Sequence, residues 1–145
     1  MQIRDGVRIS TVVRRVLFIL LLGGLASPAL GQKERLGTWS FWGAFREPGR
    51  CFAIAEPHQA PSPEGWRPFA SVGYWPGRGL AGQVHVRLSR SKRPGSAVLL
   101  RIDGRSFQLL AGERDAWGPN ARADSEITAA MRAGVEMVVE TRSAR

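Results

Sequence analysis

The chain is poor in the residues that build covalent links and metal sites. Its 145 residues include one cysteine, Cys51, and two histidines, His58 and His85. A single thiol cannot form an internal disulfide, so Cys51 is either a buried small side chain or a thiol that awaits a partner. A zinc site needs three or four ligands at defined spacing, which two isolated histidines do not supply. The sequence therefore predicts no metal and no cofactor.

Apolar runs long enough to cross a membrane are also lacking. The longest starts at Val16 and is about ten residues long, whereas a spanning helix needs about 20. Arginines precede it and the small side chains of Ala29-Leu30-Gly31 follow, which is the pattern of a secretory signal. We predict that residues 1–31 are this signal, cleaved before Gln32, with no membrane span afterwards. Arg14-Arg15 also fits the twin-arginine route, but the leucine-rich stretch favours general secretion.

Acidic residues are outnumbered. The 12 Asp and Glu oppose 21 Lys and Arg, and removal of residues 1–31 leaves 114 residues with 17 cations and 11 anions, a net charge of +6. We expect export to the periplasm or the outer surface of a Gram-negative bacterium, where the partners are an unknown protein or an anionic surface and not nucleic acid. A GC-rich genome that prefers arginine explains the charge equally well.

Short alternating apolar stretches predict a mainly β domain. The polar start, residues 32–37, predicts frayed chain, and residues 56–68 and 111–123 predict loops. Asp103-Gly104, between two apolar runs, predicts a two-residue type I′ hairpin with Phe107 and Leu109 inward and Gln108 outward. The other predicted strands are residues 38–45, 51–55, 69–75, 84–88 and 135–142.

One helix is predicted near the C-terminus. Asp124 or Ser125 can cap its first amides, and Gly134 ends it. Because a helix of about ten residues is unstable alone, its apolar stripe must lie on the sheet. We predict one domain, residues 32–145, that is an antiparallel β-sandwich or flattened barrel with one short α-helix. The stripe consists of Ile127, Ala130 and Met131.

The order of these elements resembles the exported bacterial invasion-associated locus B (IalB-like) family. The resemblance covers residues 39–145 and lies in the stretches "CFAIAE", "VHVRLSR", "LLRIDGRSFQLL", "AWGP" and "DSEITAAMRAGVEMVVETRSAR". It implies a non-enzymatic protein that acts in envelope or host-surface interaction.

Two departures from that family concern the end of the chain. Members usually continue with a further strand, and many carry paired cysteines, of which Cys51 stands at one expected position. The resemblance therefore implies that the final strand is missing and that residues 135–142 form an open edge, which Glu136, Glu140 and Arg142 blunt. Such an edge supports an alternative function, a small periplasmic binding or chaperone-like module that pairs with extended polypeptides.

An enzyme is the third hypothesis, because its signals are weak. A nucleophile would need Cys51 with His58, or Ser71 with His85 and an acid. The sequence has no Gly-x-Ser-x-Gly elbow. Glycoside chemistry needs two facing carboxylates, and the acids are typical of solvated surface. These acids are Glu113, Asp115, Glu126, Glu136 and Glu140.

Aromatic residues near arginines give a stronger indication of binding. Trp66, Tyr74, Trp75 and Trp117 are predicted at loop edges, a composition that binding surfaces enrich. Arginine beside tryptophan also suits sugar faces and anionic groups. Alternatively, these rings cover the ends of a small core. The neighbouring arginines are Arg67, Arg78 and Arg114.

Overall fold

The computed structural model describes residues 31–58 and 63–144, so the predicted signal lies outside the described residues except for Gly31. From Gly31 onward the chain forms one compact unit. The described part contains nine strands and one α-helix. No helix among the described residues is long and apolar enough to span a membrane. The elements are β1 (Glu34–Trp39), β2 (Trp42–Glu47), β3 (Arg50–Ala55), β4 (Phe69–Trp75), β5 (Leu80–Arg87), β6 (Val98–Ile102), β7 (Arg105–Ala111), β8 (Asp115–Trp117), α1 (Ala121–Ala133) and β9 (Met137–Glu140).

The strands form one antiparallel sheet in the order β1-β2-β3-β4-β5-β8-β7-β6-β9. The sheet is not closed, and β1 and β9 are its edges. The predicted fold class is confirmed, since the structure is mainly β with a single helix near the C-terminus, consistent with a sandwich or flattened barrel. Consecutive hairpins generate most of the neighbours, as short connections favour.

The N-terminal hairpin corrects the sequence prediction. Residues 34–37, expected to be frayed, belong to β1, and the single strand expected over residues 38–45 is divided by a turn at Ser40-Phe41. Ser40 has φ of +51°, the left-handed conformation that a tight hairpin turn requires. Aromatic residues on both sides of this turn hide it from a pattern of apolar alternation. Strands β2 and β3 pair as a hairpin around Pro48-Gly49.

The Asp103-Gly104 turn is confirmed between β6 and β7. Both residues have positive φ, +45° and +84°, as a type I′ turn requires. Leu109 is buried, Phe107 is half-buried against the core, and Gln108 is exposed, so the predicted facing is also confirmed.

Strand β8 was not predicted and lies inside the expected loop. It pairs with β5 on one side and β7 on the other, and so joins the two halves of the sheet. With three residues, Asp115–Trp117, it is too short to show a period of two. Its existence depends on partners distant in sequence, which a local pattern does not contain.

The helix starts earlier than predicted. Asn120 is its N-cap, and the Asn120 side-chain oxygen accepts a hydrogen bond from the Ala123 amide at 2.9 Å. Asp124, one of the two expected caps, lies in the first turn with its side chain buried instead. Gly134 ends the helix as predicted.

The core lies between the helix and one face of the sheet. Ile127 and Ala130 are buried in it and Met131 packs against it, which confirms the predicted stripe. Two polar side chains of α1 also bond to the backbone of β5. The Asp124 carboxylate accepts from the Val84 amide at 2.9 Å, and the Thr128 hydroxyl donates to the Gly82 carbonyl at 3.2 Å. Leu88, just after β5, also belongs to this core, and the sheet contributes Ala70, Val72, Val84, Val86, Val98, Leu100, Ile102, Leu109 and Ala116.

Strand β9 is shorter than the predicted residues 135–142 and pairs with β6 at the edge of the sheet. Val135, the first residue of that predicted strand, is 98% exposed and lies outside β9. The cause is Asp103, whose carboxylate accepts hydrogen bonds from the amides of Val135 at 3.0 Å and Glu136 at 2.9 Å. The Asp103 side chain thus links the β6–β7 turn to the segment that follows α1.

Candidate functional site

The sheet has a second face, directed away from the core. Val84 and Val86 of β5 are buried, so His85 and Arg87 between and after them point to the other side. We call this side the outer face. Residues paired directly across strands share a face, and the pairing of β5 with β4 and β8 therefore adds Phe69, Ser71, Asp115 and Trp117 to it.

Three rings meet on the outer face. The His85 ring stacks on the Trp117 ring, with centroids 5.2 Å apart and planes 6° apart. The Phe69 ring approaches His85 edge-on at 5.1 Å and 88°. These are the two favoured aromatic geometries. Together with Arg87 and Asp115 these rings form what we call the His85 cluster.

The charged members of the cluster are bonded to one carboxylate. Asp115 Oδ1 lies 2.8 Å from His85 Nε2 and accepts from Arg87 Nε at 3.1 Å. Burial raises the pKa of Asp115, but the hydrogen bonds from His85 and Arg87 outweigh it, so this pKa is lowered overall. Asp115 is therefore ionised at neutral pH and can only accept, which assigns the proton to His85 Nε2. The Arg87 guanidinium also lies 5.1 Å from the Phe69 centroid.

Ser71, His85 and an acid, the residue types of one nucleophile hypothesis, lie close together. Ser71 pairs directly with His85 across the strands, and Asp115 bonds the His85 ring. However, the Ser71 hydroxyl donates to the backbone carbonyl of His85 at 3.5 Å and not to the imidazole. A serine whose hydroxyl has no general base lacks the arrangement that activates it.

The other nucleophile hypothesis places its residues apart. Cys51 lies near the start of β3, opposite Tyr74, with no disulfide partner in the described part of the chain. His58 lies beyond the end of β3, where its ring contacts Phe41 at 5.4 Å.

The remaining acids are dispersed over different partners. Glu113 accepts from the Ser91 hydroxyl at 3.2 Å, and Glu126 pairs with Arg122 at 2.9 Å. Glu140 pairs with Arg101 at 3.0 Å. Among residues 31–58 and 63–144, no group of three or more His, Cys, Asp and Glu could hold a metal ion.

The four aromatic residues noted in the sequence divide between the faces. Trp117 is in the His85 cluster, and Trp75 lies on the outer face with its ring over Gly73. Tyr74 packs against the core, as the alternative hypothesis expected. Trp66 donates its ring N–H to the Leu88 carbonyl at 2.7 Å. Of the three arginines, Arg114 lies over the Trp66 ring, Arg67 pairs with Glu56, and Arg78 lies in the turn after β4.

A second ring group lies on the outer face and was not recognised in the sequence. Phe45 of β2 and Phe52 of β3 are cross-strand partners whose rings stack with centroids 5.5 Å apart. Lys33 Nζ lies 4.1 Å from the Phe45 centroid, and the Arg50 guanidinium lies 4.6 Å from that of Phe52. We call these four residues the Phe52 cluster. The sequence places the two phenylalanines in predicted strands, but the alternation along a strand does not say which face of the sheet is covered.

Comparison of the chain with protein-family models, with curated proteins and with solved structures finds no match. The geometry of the outer face is therefore the main guide to the function of this chain.

Proposed function

We propose that the chain is a non-enzymatic exported protein of the bacterial envelope or cell surface, and that it binds its partner through the outer face. The His85 cluster is the observation that carries this proposal. It combines stacked rings with a fixed acceptor and donor, Asp115 and Arg87, on a face that α1 does not cover.

The composition of the cluster supports recognition over a purely structural role. The face of an antiparallel sheet that is directed away from the core is commonly polar and solvated. Here Trp117 remains 36% exposed, and its ring is held by the His85 stack. Rigid, partly exposed aromatic rings beside directional hydrogen-bonding groups are typical of binding surfaces.

The resemblance to IalB-like proteins supports the exported setting of the proposal. The basic balance of the chain after residue 31 suits anionic envelope components. The family resemblance and the net charge support the location of the protein, whereas the His85 cluster supports the site of contact with a partner.

The test compares the purified protein with Trp117→Ala for binding to outer-membrane vesicles, measured by co-sedimentation. Loss of an aromatic anchor is expected to weaken binding by at least about tenfold, since anchors contribute about 2 kcal/mol or more. Val135→Ala, an exposed apolar change away from the outer face, is the matched control and is expected to bind as the unaltered protein does. Equal binding by both variants, with unchanged circular dichroism, would overturn the proposal.

The edge strand β9 supports a second candidate, a module that pairs with extended polypeptides. The Asp103 amide donates to the Glu136 carbonyl at 3.2 Å. Alternation along an antiparallel ladder then directs the amides of Val138 and Glu140 toward β6 and those of Met137 and Val139 toward the open side. The open side can therefore accept another strand.

A proline at position 139 tests this second candidate, because it removes an outward amide and spares the bonds to β6. Val139→Pro is expected to abolish capture of an unfolded outer-membrane polypeptide, while Val139→Ala retains it. Capture that is unaffected by the proline would exclude β9 as the binding edge.

A further inference from the structure

We propose that the ligand of the outer face is an anionic polysaccharide of the polyuronate class, bound in an extended form across the His85 and Phe52 clusters. This inference rests on the proposed function and specifies its ligand. We infer this ligand from three features of the outer face: the chemistry of the two clusters, the distance between them, and the unequal distribution of charge along the face.

The two clusters belong to one continuous surface. Phe52 pairs with Gly73 across β3 and β4, and His85 pairs with Ser71 across β5 and β4. They are thus two strands apart sideways and two residues apart lengthwise, which corresponds to about 12 Å at the usual strand spacing and rise. The Trp75 ring lies over Gly73 between them. The surface is therefore a track of rings of a length that a short oligosaccharide spans.

Sugar rings suit this track because they present both apolar and polar groups. The C–H face of a pyranose can lie on an aromatic ring, while its hydroxyls need acceptors and donors at the rim. Asp115 and Arg87 supply one of each and are held in place by their mutual hydrogen bond. Charge-assisted hydrogen bonds of this kind are about twice as strong as neutral ones.

The charge along the track is unequal. Arg87 is paired with Asp115 and Arg50 with Glu47 at 2.7 Å. Lys33 and Arg35, at the Phe52 end, have no ion pair in the part of the chain that the structure describes. Arg35 shares this face because it pairs directly with Phe45. The free positive charge is therefore concentrated at one end of the track.

This inequality specifies the ligand. The ionised Asp115 accepts hydrogen bonds, so the His85 cluster suits a sugar ring that retains hydroxyls to donate to it. Lys33 and Arg35 suit a carboxylate further along the same chain. A polyuronate carries both hydroxyls and carboxylates and meets both demands, whereas a polysaccharide whose hydroxyls are replaced by sulfates meets only the second.

The experiment measures binding of oligogalacturonate to the purified protein by calorimetry, with its carboxyl-reduced neutral counterpart and dextran sulfate as comparison ligands. We expect the oligogalacturonate to bind at least about tenfold more tightly than the neutral oligomer, because two close cation–carboxylate contacts are lost on reduction. Dextran sulfate is expected to compete weakly.

Two variants assign the contacts. The double variant Lys33→Gln, Arg35→Gln is expected to lower oligogalacturonate affinity to the level of the neutral oligomer. Trp117→Ala is expected to weaken both ligands. The charge-matched control, Arg122→Gln with Arg132→Gln, removes two exposed cations of α1, on the opposite side of the sheet from the outer face. It is expected to leave the affinity for oligogalacturonate within about twofold of the original, since distant surface charges are largely screened.

The outcomes separate this inference from the proposed function. Equal affinity for charged and neutral oligomers, stronger binding of dextran sulfate, or no effect of the Lys33 and Arg35 changes would overturn the polyuronate assignment. If oligogalacturonate fails to bind while Trp117→Ala still removes vesicle binding, the inference fails and the proposed function stands. If Trp117→Ala also leaves vesicle binding unchanged, both fail.

Discussion

At the scale of single residues, the Asp124 carboxylate is the most constrained charge in the core. It is 7% exposed and accepts a hydrogen bond from the Val84 amide. Burial raises the pKa of Asp124, and the hydrogen bond from Val84 lowers it by less, so the net shift is upward. Because the folded pKa exceeds the unfolded one, this group's stabilisation is fully present at low pH and is lost as the pH rises through the folded pKa.

Two substitutions separate the charge of Asp124 from its hydrogen bond. Asp124→Asn keeps an acceptor for Val84 without a charge, so its free energy of unfolding is expected to match or exceed that of the unaltered protein at pH 7. Asp124→Ala leaves a buried amide unsatisfied and is expected to lower that free energy by about 1–3 kcal/mol. Urea unfolding at pH 4 and pH 7 measures both. An equal loss in the two variants would contradict this account.

At the scale of secondary structure, strong local signals were predictable and non-local ones were not. The Asp103-Gly104 hairpin and the end of α1 at Gly134 follow from turn and capping chemistry within a few residues. The start of α1 was misplaced because Asp124 resembles a cap in the sequence, yet Asn120 occupies that position. Strand β8 was missed because its pairing partners lie far along the chain.

The position of the cap can be tested by a matched pair of alanine substitutions. Asn120→Ala removes the acceptor for the Ala123 amide and is expected to lower the free energy of unfolding by about 1 kcal/mol. Ser125→Ala, at a position that the sequence also favoured as a cap, is expected to change it by less than about 0.5 kcal/mol, as an exposed helix position does. The reverse order in thermal or urea unfolding would place the helix start at residue 125.

At the scale of the whole molecule, the sequence predicted the class of fold but not the site. In the sequence, His85 is only a weak candidate base for Ser71, together with an unspecified acid. Its partner Asp115 is 30 residues away, and only the pairing of β5 with β8 brings them together. Asp115 and Trp117 are two residues apart and would share one face of a strand. However, a strand of three residues is too short for this alternation to be recognised in the sequence.

The prediction of export also belongs to the whole molecule. When the full chain is expressed in a Gram-negative host, the protein is expected in the periplasmic or surface fraction with an intact mass that begins at Gln32. Ala29→Lys is expected to block cleavage, because signal peptidase requires small residues near the bond, whereas Gln32→Ala is expected to leave cleavage unchanged. A full-length product confined to the cytoplasm would contradict the prediction.

The hydrogen bonds of the Asp103 carboxylate also bear on the chemical stability of the Asp103-Gly104 peptide. In unstructured chains an aspartate followed by glycine cyclises readily, because the next backbone nitrogen is free to attack the side-chain carbonyl, and the succinimide reopens largely as isoaspartate. Both carboxylate oxygens of Asp103 are instead held by the amides of Val135 and Glu136. These hydrogen bonds are therefore expected to slow succinimide formation at Asp103 in the folded protein. The reaction is expected to be faster whenever the β6–β7 turn separates from residues 135 and 136, so isoaspartate at residue 103 would accumulate with the time spent in that open state.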